Sequence, residues 1–114
     1  MKFMLLVYVD EKGFDASSQT EIEQTLAAYG AYVEALRKAG VAAGMDRLQR
    51  SATAVTVRAS NGKTTVVNGP YAETREQLGG YFIVDVPDLD TALTWASRCP
   101  GLGHGTVEVR PVYV

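Results

Sequence analysis

The sequence is poor in the residues that build disulfides and metal centres. Its 114 residues include one cysteine, Cys99, and one histidine, His104. A single cysteine cannot form an internal disulfide, and no neighbouring cysteine or histidine stands at the spacing of a zinc site. We therefore predict no metal site and no cofactor, and we expect Cys99 to pack as a small hydrophobic residue.

An excess of positive charge and a long apolar run are also missing. The chain has 11 Lys and Arg residues against 13 Asp and Glu residues, a formal net charge of −2, so it lacks the basic stripe that contacts nucleic-acid phosphates. The apolar opening, residues 3–9, is far shorter than the roughly 20 residues that span a bilayer, and it is too short for a signal-peptide core with a cleavage site. These absences argue against nucleic-acid and membrane partners and predict a cytoplasmic protein.

What is present suits one globular domain. Hydrophobic residues make up 46% of the chain and charged residues 21%, which is ordinary for such proteins. A chain of this length buries roughly 65% of the surface that it exposes when unfolded, enough for one core and too little for two. No internal repeat or long linker divides the chain, so we predict a single domain over residues 1–114.

The first predicted strand, Lys2–Val9, is apolar on both faces. Alternate side chains of a strand point to opposite sides. One side carries Phe3, Leu5, Val7 and Val9, and the other carries Met4, Leu6 and Tyr8. A strand of a half-solvated sheet would instead alternate apolar with polar residues. Both faces of this strand therefore need cover.

Two segments have the signals of amphipathic helices. Ser18 and Glu21 form a capping box, and Gly40 stands where a left-handed residue ends a helix. Between them, apolar residues recur at helical spacing: Ile22, Leu26, Tyr29, Val33 and Leu36. Asp88 is placed to cap a second helix, which Pro100 ends. The apolar side of that helix carries Leu89, Ala92, Leu93, Ala96 and Cys99.

The other segments predict strands and connections. The further strands are residues 41–48, 53–58, 63–67, 81–86 and 106–110. Asn61 and Gly62 predict the turn of a hairpin. Residues 10–17 are expected to be a polar connection, residues 71–78 a surface loop or one helical turn, and residues 101–105 a flexible stretch. The order predicts an α+β, ferredoxin-like βαββαβ domain with an additional β-hairpin.

In that plan both helices cover one sheet face and leave the other bare. The bare face would carry Met4, Leu6, Tyr8, Tyr81, Ile83, Asp85, Glu108 and Arg110. Burying a large apolar side chain is worth roughly 1.5–3 kcal/mol, and contiguous apolar patches mark interfaces. We therefore predict a homodimer, in which two bare faces close on each other as a dimeric α/β barrel and line a cleft. Alternatively, Glu108 and Arg110 form a surface ion pair across neighbouring strands, which says little about function.

Asn68-Gly69-Pro70-Tyr71 opens the one segment that carries a recognisable motif. Residues 68–81 resemble the signature segment of the YCII-related family, in the branch named after its Asp-Gly-Pro-Phe (DGPF) motif. Residues 2–6, the helix at residues 89–96 and residues 105–112 are similar to that family as well. The resemblance therefore spans essentially the whole chain.

The resemblance implies a ferredoxin-like domain that forms a dimeric barrel, with an active-site cleft near the signature loop. Some relatives are similar to small-molecule lyases that use a His-Asp pair, and some DGPF-type domains accompany sigma-factor-like proteins. In this chain Asn68 replaces the aspartate of the motif and Tyr71 replaces its phenylalanine. Because an amide cannot act as a carboxylate base, a mechanism that needs an aspartate here loses support. In the alternative interpretation, residues 68–70 only build a turn, and Glu73 and Glu76 are solvated.

His104 is the candidate for catalytic proton transfer, because histidine is the side chain whose unperturbed pKa lies near neutrality. Its glycine-rich surroundings allow a simpler interpretation as an exposed loop residue. The candidate ligand-binding residues are Asn68, Tyr71, Glu73, Tyr81 and Arg110. Tyr29 and Tyr32 are expected to be packing residues.

Two functions are compatible with these features. The first is a small-molecule enzyme of the lyase or isomerase type, in which the polar groups near the signature loop shape a pocket around His104. The second is a non-catalytic dimeric module that binds a ligand or takes part in sigma-factor-type transcription control. Asn68 and the missing partner for a catalytic base favour the second.

Overall fold

The computed structural model describes residues 1–114 and contains a four-stranded antiparallel sheet covered by helices on one face. The strands are β1 (Lys2–Val9), β2 (Ala42–Arg47), β3 (Val55–Ser60), β4 (Lys63–Asn68), β5 (Gln77–Asp85) and β6 (Gly105–Pro111). The helices are α1 (Glu11–Asp15), α2 (Gln19–Lys38) and α3 (Leu89–Ser97), with 3₁₀ turns at Ser51–Thr53 and Pro100–Gly103. The main sheet has the order β2-β5-β1-β6. Its four strands and the two longer helices follow one another as β-α-β-β-α-β, consistent with a ferredoxin-like α+β fold.

The two longer helices begin at the predicted capping residues. Ser18 Oγ accepts a hydrogen bond from the backbone N–H of Glu21 at 3.1 Å, and the Glu21 carboxylate accepts one from the Ser18 N–H at 3.3 Å. Gly40 follows α2 with a φ of 71°, the left-handed conformation expected there. At the start of α3 the Asp88 carboxylate accepts a hydrogen bond from the N–H of Thr91 at 2.8 Å. None of the helices is both long and apolar enough to cross a membrane.

Three local predictions are wrong. Residues 10–17 contain α1, which Asp10 caps by accepting a hydrogen bond from the N–H of Gly13 at 3.2 Å. The stretch predicted to be flexible contains a 3₁₀ turn that begins with Pro100, whose fixed φ suits the first helical position. β5 begins at Gln77, because β1 continues to Val9 and supplies backbone partners for residues 77–80.

The core lies between the helices and one face of the main sheet. On β1, Phe3, Leu5 and Val7 are almost fully buried, whereas the alternate residues of the strand are only half-buried on the other face. The buried cluster consists of Phe3, Leu5, Val7, Tyr32, Leu36, Phe82, Val84, Val86, Ala92, Ala96 and Cys99. This arrangement confirms which face of β1 the helices cover and shows that Cys99 packs in the core. The bare face of the main sheet has no cover from a helix.

β3 and β4 form a separate two-stranded sheet, which we call the hairpin arm (residues 55–68). Asn61 and Gly62 turn the chain with φ values of 50° and 77°, as predicted from their sequence. More than half of the surface of four apolar side chains is exposed: Val55, Val57, Val66 and Val67. The Cα radius of gyration is 16.0 Å, against about 13 Å for a compact chain of this length. The protomer is therefore extended, with apolar surface left uncovered.

Candidate functional site

A cavity of about 390 Å³ opens between α2 and the helix-covered face of the main sheet. Its volume is typical of small-molecule sites. The apolar and aromatic residues of its wall are Val7, Val9, Phe14, Leu26, Tyr29, Val33, Met45, Leu48, Tyr81 and Phe82. The charged or titratable residues that line it are Glu11, Asp46, Arg47, Arg50 and His104. We call this space the helix-side cavity.

His104 enters the wall of this cavity from the junction between the second 3₁₀ turn and β6. Its backbone N–H donates to the carbonyl of Gly101 at 3.2 Å, and its own carbonyl accepts a hydrogen bond from the N–H of Asp10 at 3.1 Å. The imidazole ring lies 5.7 Å from the ring of Phe14, centroid to centroid, at a tilt of 54°. No hydrogen bond within the chain engages the imidazole nitrogens. The backbone of His104 is therefore fixed, and its imidazole nitrogens can form hydrogen bonds with a ligand.

A set of polar contacts, which we call the Glu11 clasp, fastens α1 to the first 3₁₀ turn. The backbone N–H of Ser51 donates to one carboxylate oxygen of Glu11 at 2.9 Å, and Ser51 Oγ donates to the other at 2.6 Å. Arg50 forms an ion pair with Asp15, and its guanidinium lies 5.8 Å from the centre of the Phe14 ring. These contacts hold α1 and residues 50–51 together at the wall of the cavity.

Tyr29 lies in the cavity wall contributed by α2. Burial, with a smaller contribution from Cys99, raises the pKa of Tyr29 to about 12, while the Arg47 guanidinium acts in the opposite direction. Burial also raises the pKa of the Cys99 thiol. Both groups are therefore protonated near neutral pH, and the Tyr29 hydroxyl can donate a hydrogen bond to a ligand. The hydroxyl of Tyr32 instead donates to the carbonyl of Trp95 at 2.7 Å, which confirms Tyr32 as a packing residue.

An open groove lies on the bare face of the main sheet, beside the hairpin arm. Tyr8 and Tyr71 line it, and the Tyr8 hydroxyl donates to Glu108 at 3.4 Å. Desolvation and the Glu108 carboxylate together raise the pKa of Tyr8. Arg110 pairs with Glu108 of its own strand, because residues two apart on a strand share a face, and the expected pairing across neighbouring strands is therefore wrong. Residues 48–50 border both this groove and the helix-side cavity.

Comparison with known proteins identifies the family. The sequence model of a protein family, the YCII-related domain, matches residues 1–114. The chain belongs to the YCII-related family. An uncharacterized protein, R00369, from Rhizobium meliloti (strain 1021) is 36% identical over 114 residues, which cover 98% of this chain and 92% of that protein.

A solved structure shares the fold of this YCII-related chain. 5-Chloro-2-hydroxyhydroquinone dehydrochlorinase (TftG) from Burkholderia phenoliruptrix AC1100, in complex with 2,5-dihydroxybenzoquinone, matches with a TM-score of 0.56. The match covers 99% of this chain and 94% of that chain, at 16% sequence identity. At this identity the likeness establishes a common fold.

The structure places the predicted site residues of the YCII-related chain in several positions. His104 lines the helix-side cavity. Tyr81 borders that cavity from β5, but its side chain lies on the bare face beside Leu6, and its hydroxyl donates to Asp46 at 2.6 Å. Tyr71 lines the open groove. Three further residues line neither space in the single chain: Asn68, Glu73 and Arg110. One cleft shared by His104 and the signature loop therefore stays a prediction.

The sequence pattern did not identify four of the charged residues of the helix-side cavity, Glu11, Asp46, Arg47 and Arg50, and it assigned Tyr29 to packing alone. Arg47 follows Met45 at strand spacing and so shares its face, a signal that was available in the sequence. Tyr29 has the same helical spacing as the core residues of α2, and only the structure shows that it also lines the cavity. Glu11 had no signal, because the polar segment that contains it has no periodicity.

Proposed function

We propose that this YCII-related protein is a small-molecule enzyme of the lyase or isomerase type, with His104 as its acid or base. The position of His104 supports the proposal, because the only histidine of the chain lines an apolar cavity and its imidazole is not engaged. Elimination and isomerisation commonly require removal of a proton, and a neutral imidazole accepts one near neutral pH. An apolar cavity with a few polar groups is the usual form of a small-molecule site.

A substituted six-membered ring is the first ligand to consider. Phe14 and Phe82 supply aromatic surface in the wall, and the remaining lining is mainly aliphatic. TftG, which has this fold, is named for acting on 5-chloro-2-hydroxyhydroquinone and was solved with 2,5-dihydroxybenzoquinone. Those two compounds are therefore reasonable trial molecules for this chain.

A homodimer of DGPF type, a dimeric α/β barrel, is the second part of the proposal. Met4, Leu6 and Ile83 are half-buried on a sheet face that no helix covers, and a second copy would bury them. Closing two such faces would also enclose the open groove. Residues 48–50 border both that groove and the helix-side cavity, so the proposed site would extend from His104 to Tyr71. The predicted ligand-binding residues Asn68, Glu73 and Arg110 line neither space in one chain and would join the site only through the second copy.

The cavity is tested by the response of His104 to a ring-shaped ligand. The chain has one histidine and one tryptophan, so each side chain gives a single set of NMR signals. We expect 2,5-dihydroxybenzoquinone to shift the His104 imidazole signals. The indole N–H of Trp95 should not move, because Trp95 does not line the cavity. A titration into the millimolar range that leaves the imidazole signals unchanged would contradict this site.

Catalysis is tested by chloride release from 5-chloro-2-hydroxyhydroquinone. General acid–base catalysis contributes about 10²- to 10⁴-fold, so we expect His104→Gln to lose about that factor in kcat while its unfolding temperature stays close to that of the wild type. Glu34→Gln, on the exposed side of α2, should keep the full rate. Equal rates for the wild type and His104→Gln would rule out His104 as the acid or base.

A non-catalytic ligand-binding or regulatory module, of the kind associated with sigma-factor-type transcription control, is the second candidate. Two observations favour it: Asn68 replaces the aspartate of the motif, and no carboxylate orients the imidazole of His104. Both candidates predict ring binding in the cavity. Binding at His104 without chemical conversion of the ring would favour the module.

A further inference from the structure

Neither acidic residue of the cavity wall presents a free carboxylate to the helix-side cavity. Glu11 accepts two hydrogen bonds from Ser51, one at each carboxylate oxygen. Asp46 lies between Met45 and Arg47 on β2, so its side chain points to the bare face of the sheet, where it accepts a hydrogen bond from the Tyr81 hydroxyl. A cationic ligand in the cavity would have to compete with Ser51 for Glu11.

The basic groups of the cavity are less engaged. Arg50 is paired with Asp15, but the side chains of Arg47 and His104 donate no hydrogen bond within the chain. The charged groups of the cavity that remain unpaired are therefore hydrogen-bond donors. A ligand with acceptor oxygens can bond to them, and a negatively charged ligand would do so most strongly.

The strand register directs Arg47 toward the helix-covered face. On β2, Met45 pairs with Phe82 of β5 and Arg47 pairs with Gly80. Met45 packs against the core, and residues two apart on a strand share a face. Arg47 therefore lies on the cavity side of the sheet.

Tyr29, on α2, lines the same cavity as Arg47. Both residues line the cavity, and the guanidinium counteracts part of the rise in the pKa of Tyr29. The hydroxyl stays protonated at neutral pH and donates no hydrogen bond within the chain. Arg47 and Tyr29 are thus two free donors on neighbouring walls of one apolar space.

We propose that the helix-side cavity selects a small ring that carries one anionic oxygen group, a carboxylate or a phenolate, and that Arg47 and Tyr29 bind this group. The inference rests on the proposed function, because it names the ligand class of the same cavity. A guanidinium can bind a carboxylate through two parallel hydrogen bonds. The tyrosine hydroxyl adds a third donor, and the apolar wall contacts the body of the ring.

Matched pairs of charged and neutral ligands test this selectivity. Benzoate is compared with benzamide for the carboxylate, and 4-nitrophenolate with nitrobenzene for the phenolate, at a pH where the phenol is ionised. Each titration follows the His104 imidazole signals in the wild type, in Arg47→Met and in Arg37→Met. Arg37→Met is the matched control, since Arg37 is exposed on the last turn of α2 and lies outside the cavity.

We expect at least one anion to bind the wild type roughly tenfold more tightly than its neutral partner, since hydrogen bonds to charged groups are the stronger ones. Arg47→Met should abolish that preference, and Arg37→Met should keep it. Tyr29→Phe should weaken binding of the anion several-fold without weakening binding of the neutral ring. Whichever pair shows the preference identifies the anionic group as carboxylate or phenolate.

Two results would overturn the inference and separate it from the proposed function. If charged and neutral partners shift His104 at the same concentrations, or if Arg47→Met keeps the preference, the anion selectivity is wrong while the cavity remains a ring site. If none of the four compounds shifts His104 in the wild type, the inference and the helix-side cavity as a ring site fail together.

Discussion

Leu6→Glu is expected to convert the proposed homodimer into monomers, so that the mass measured by light scattering falls from twice 12.3 kDa to 12.3 kDa. Leu6 lies on the bare face of β1, between Tyr81 of β5 and Glu108 of β6. In the proposed dimer its side chain enters the contact between the two sheets. A buried carboxylate without a partner costs several kcal/mol, and two-fold symmetry places two of them in each dimer.

Two further variants separate assembly from folding. Leu93→Glu makes the same substitution on α3, where the side chain is 46% exposed, and should leave the dimer intact. Leu6→Ala adds no charge beside Glu108 and should weaken the dimer without disturbing the protomer. A dimer of unchanged mass in Leu6→Glu, with a native circular dichroism spectrum, would show that the bare face of β1 is not the contact.

The elements predicted well are those whose signals are local. The capping box of α2 needs only Ser18 and Glu21, and the hairpin turn needs only Asn61 and Gly62, because each pair adopts its conformation through contacts a few residues apart. The apolar character of both faces of β1 is likewise visible within eight residues. These signals were sufficient for the order of the main elements.

The elements predicted poorly depend on partners far away in the sequence. β5 begins at Gln77 because β1 reaches Val9 beside it, which no pattern within residues 71–80 reveals. α1 is too short to show a periodicity, and the Glu11 clasp that fastens it joins residues separated by some forty positions. Local propensity cannot predict such pairings, because they depend on residues that are distant in the sequence.

The candidate site shows the same limit more strongly. His104 was recognisable from composition, since it is the only histidine. Its cavity, however, is assembled from α1, α2, β1, β2 and β5, so its other members could be found only once the sheet order was known. Arg47 and Tyr29 come from segments whose sequence patterns indicate only a strand and a helix. The composition of the chain therefore indicated one reactive group, and the tertiary structure supplied its surroundings.

Gly105→Ala is expected to cause the largest loss of stability. A Cβ atom at Gly105 would lie 1.8 Å from the carbonyl oxygen of Tyr8 and 3.0 Å from the Cα of Val9. Both are backbone atoms of an inner strand, so no side-chain rotation can relieve the clash. Overpacking costs about 1–3 kcal/mol where neighbours can adjust. We therefore expect Gly105→Ala to lose about 3 kcal/mol or more, which would lower Tm by roughly 10 °C.

Gly103→Ala is the matched control, since a Cβ at Gly103 would meet no heavy atom within 4 Å, and its Tm should stay near that of the wild type. The two glycines flank His104, whose carbonyl accepts the hydrogen bond from Asp10. If β6 moves away from β1 in Gly105→Ala, His104 moves with it, and ring binding should weaken in that variant only. Equal Tm values for both variants would show that β6 can shift away from β1 without loss of stability. The close contact between these strands would then not be what holds His104 at the cavity.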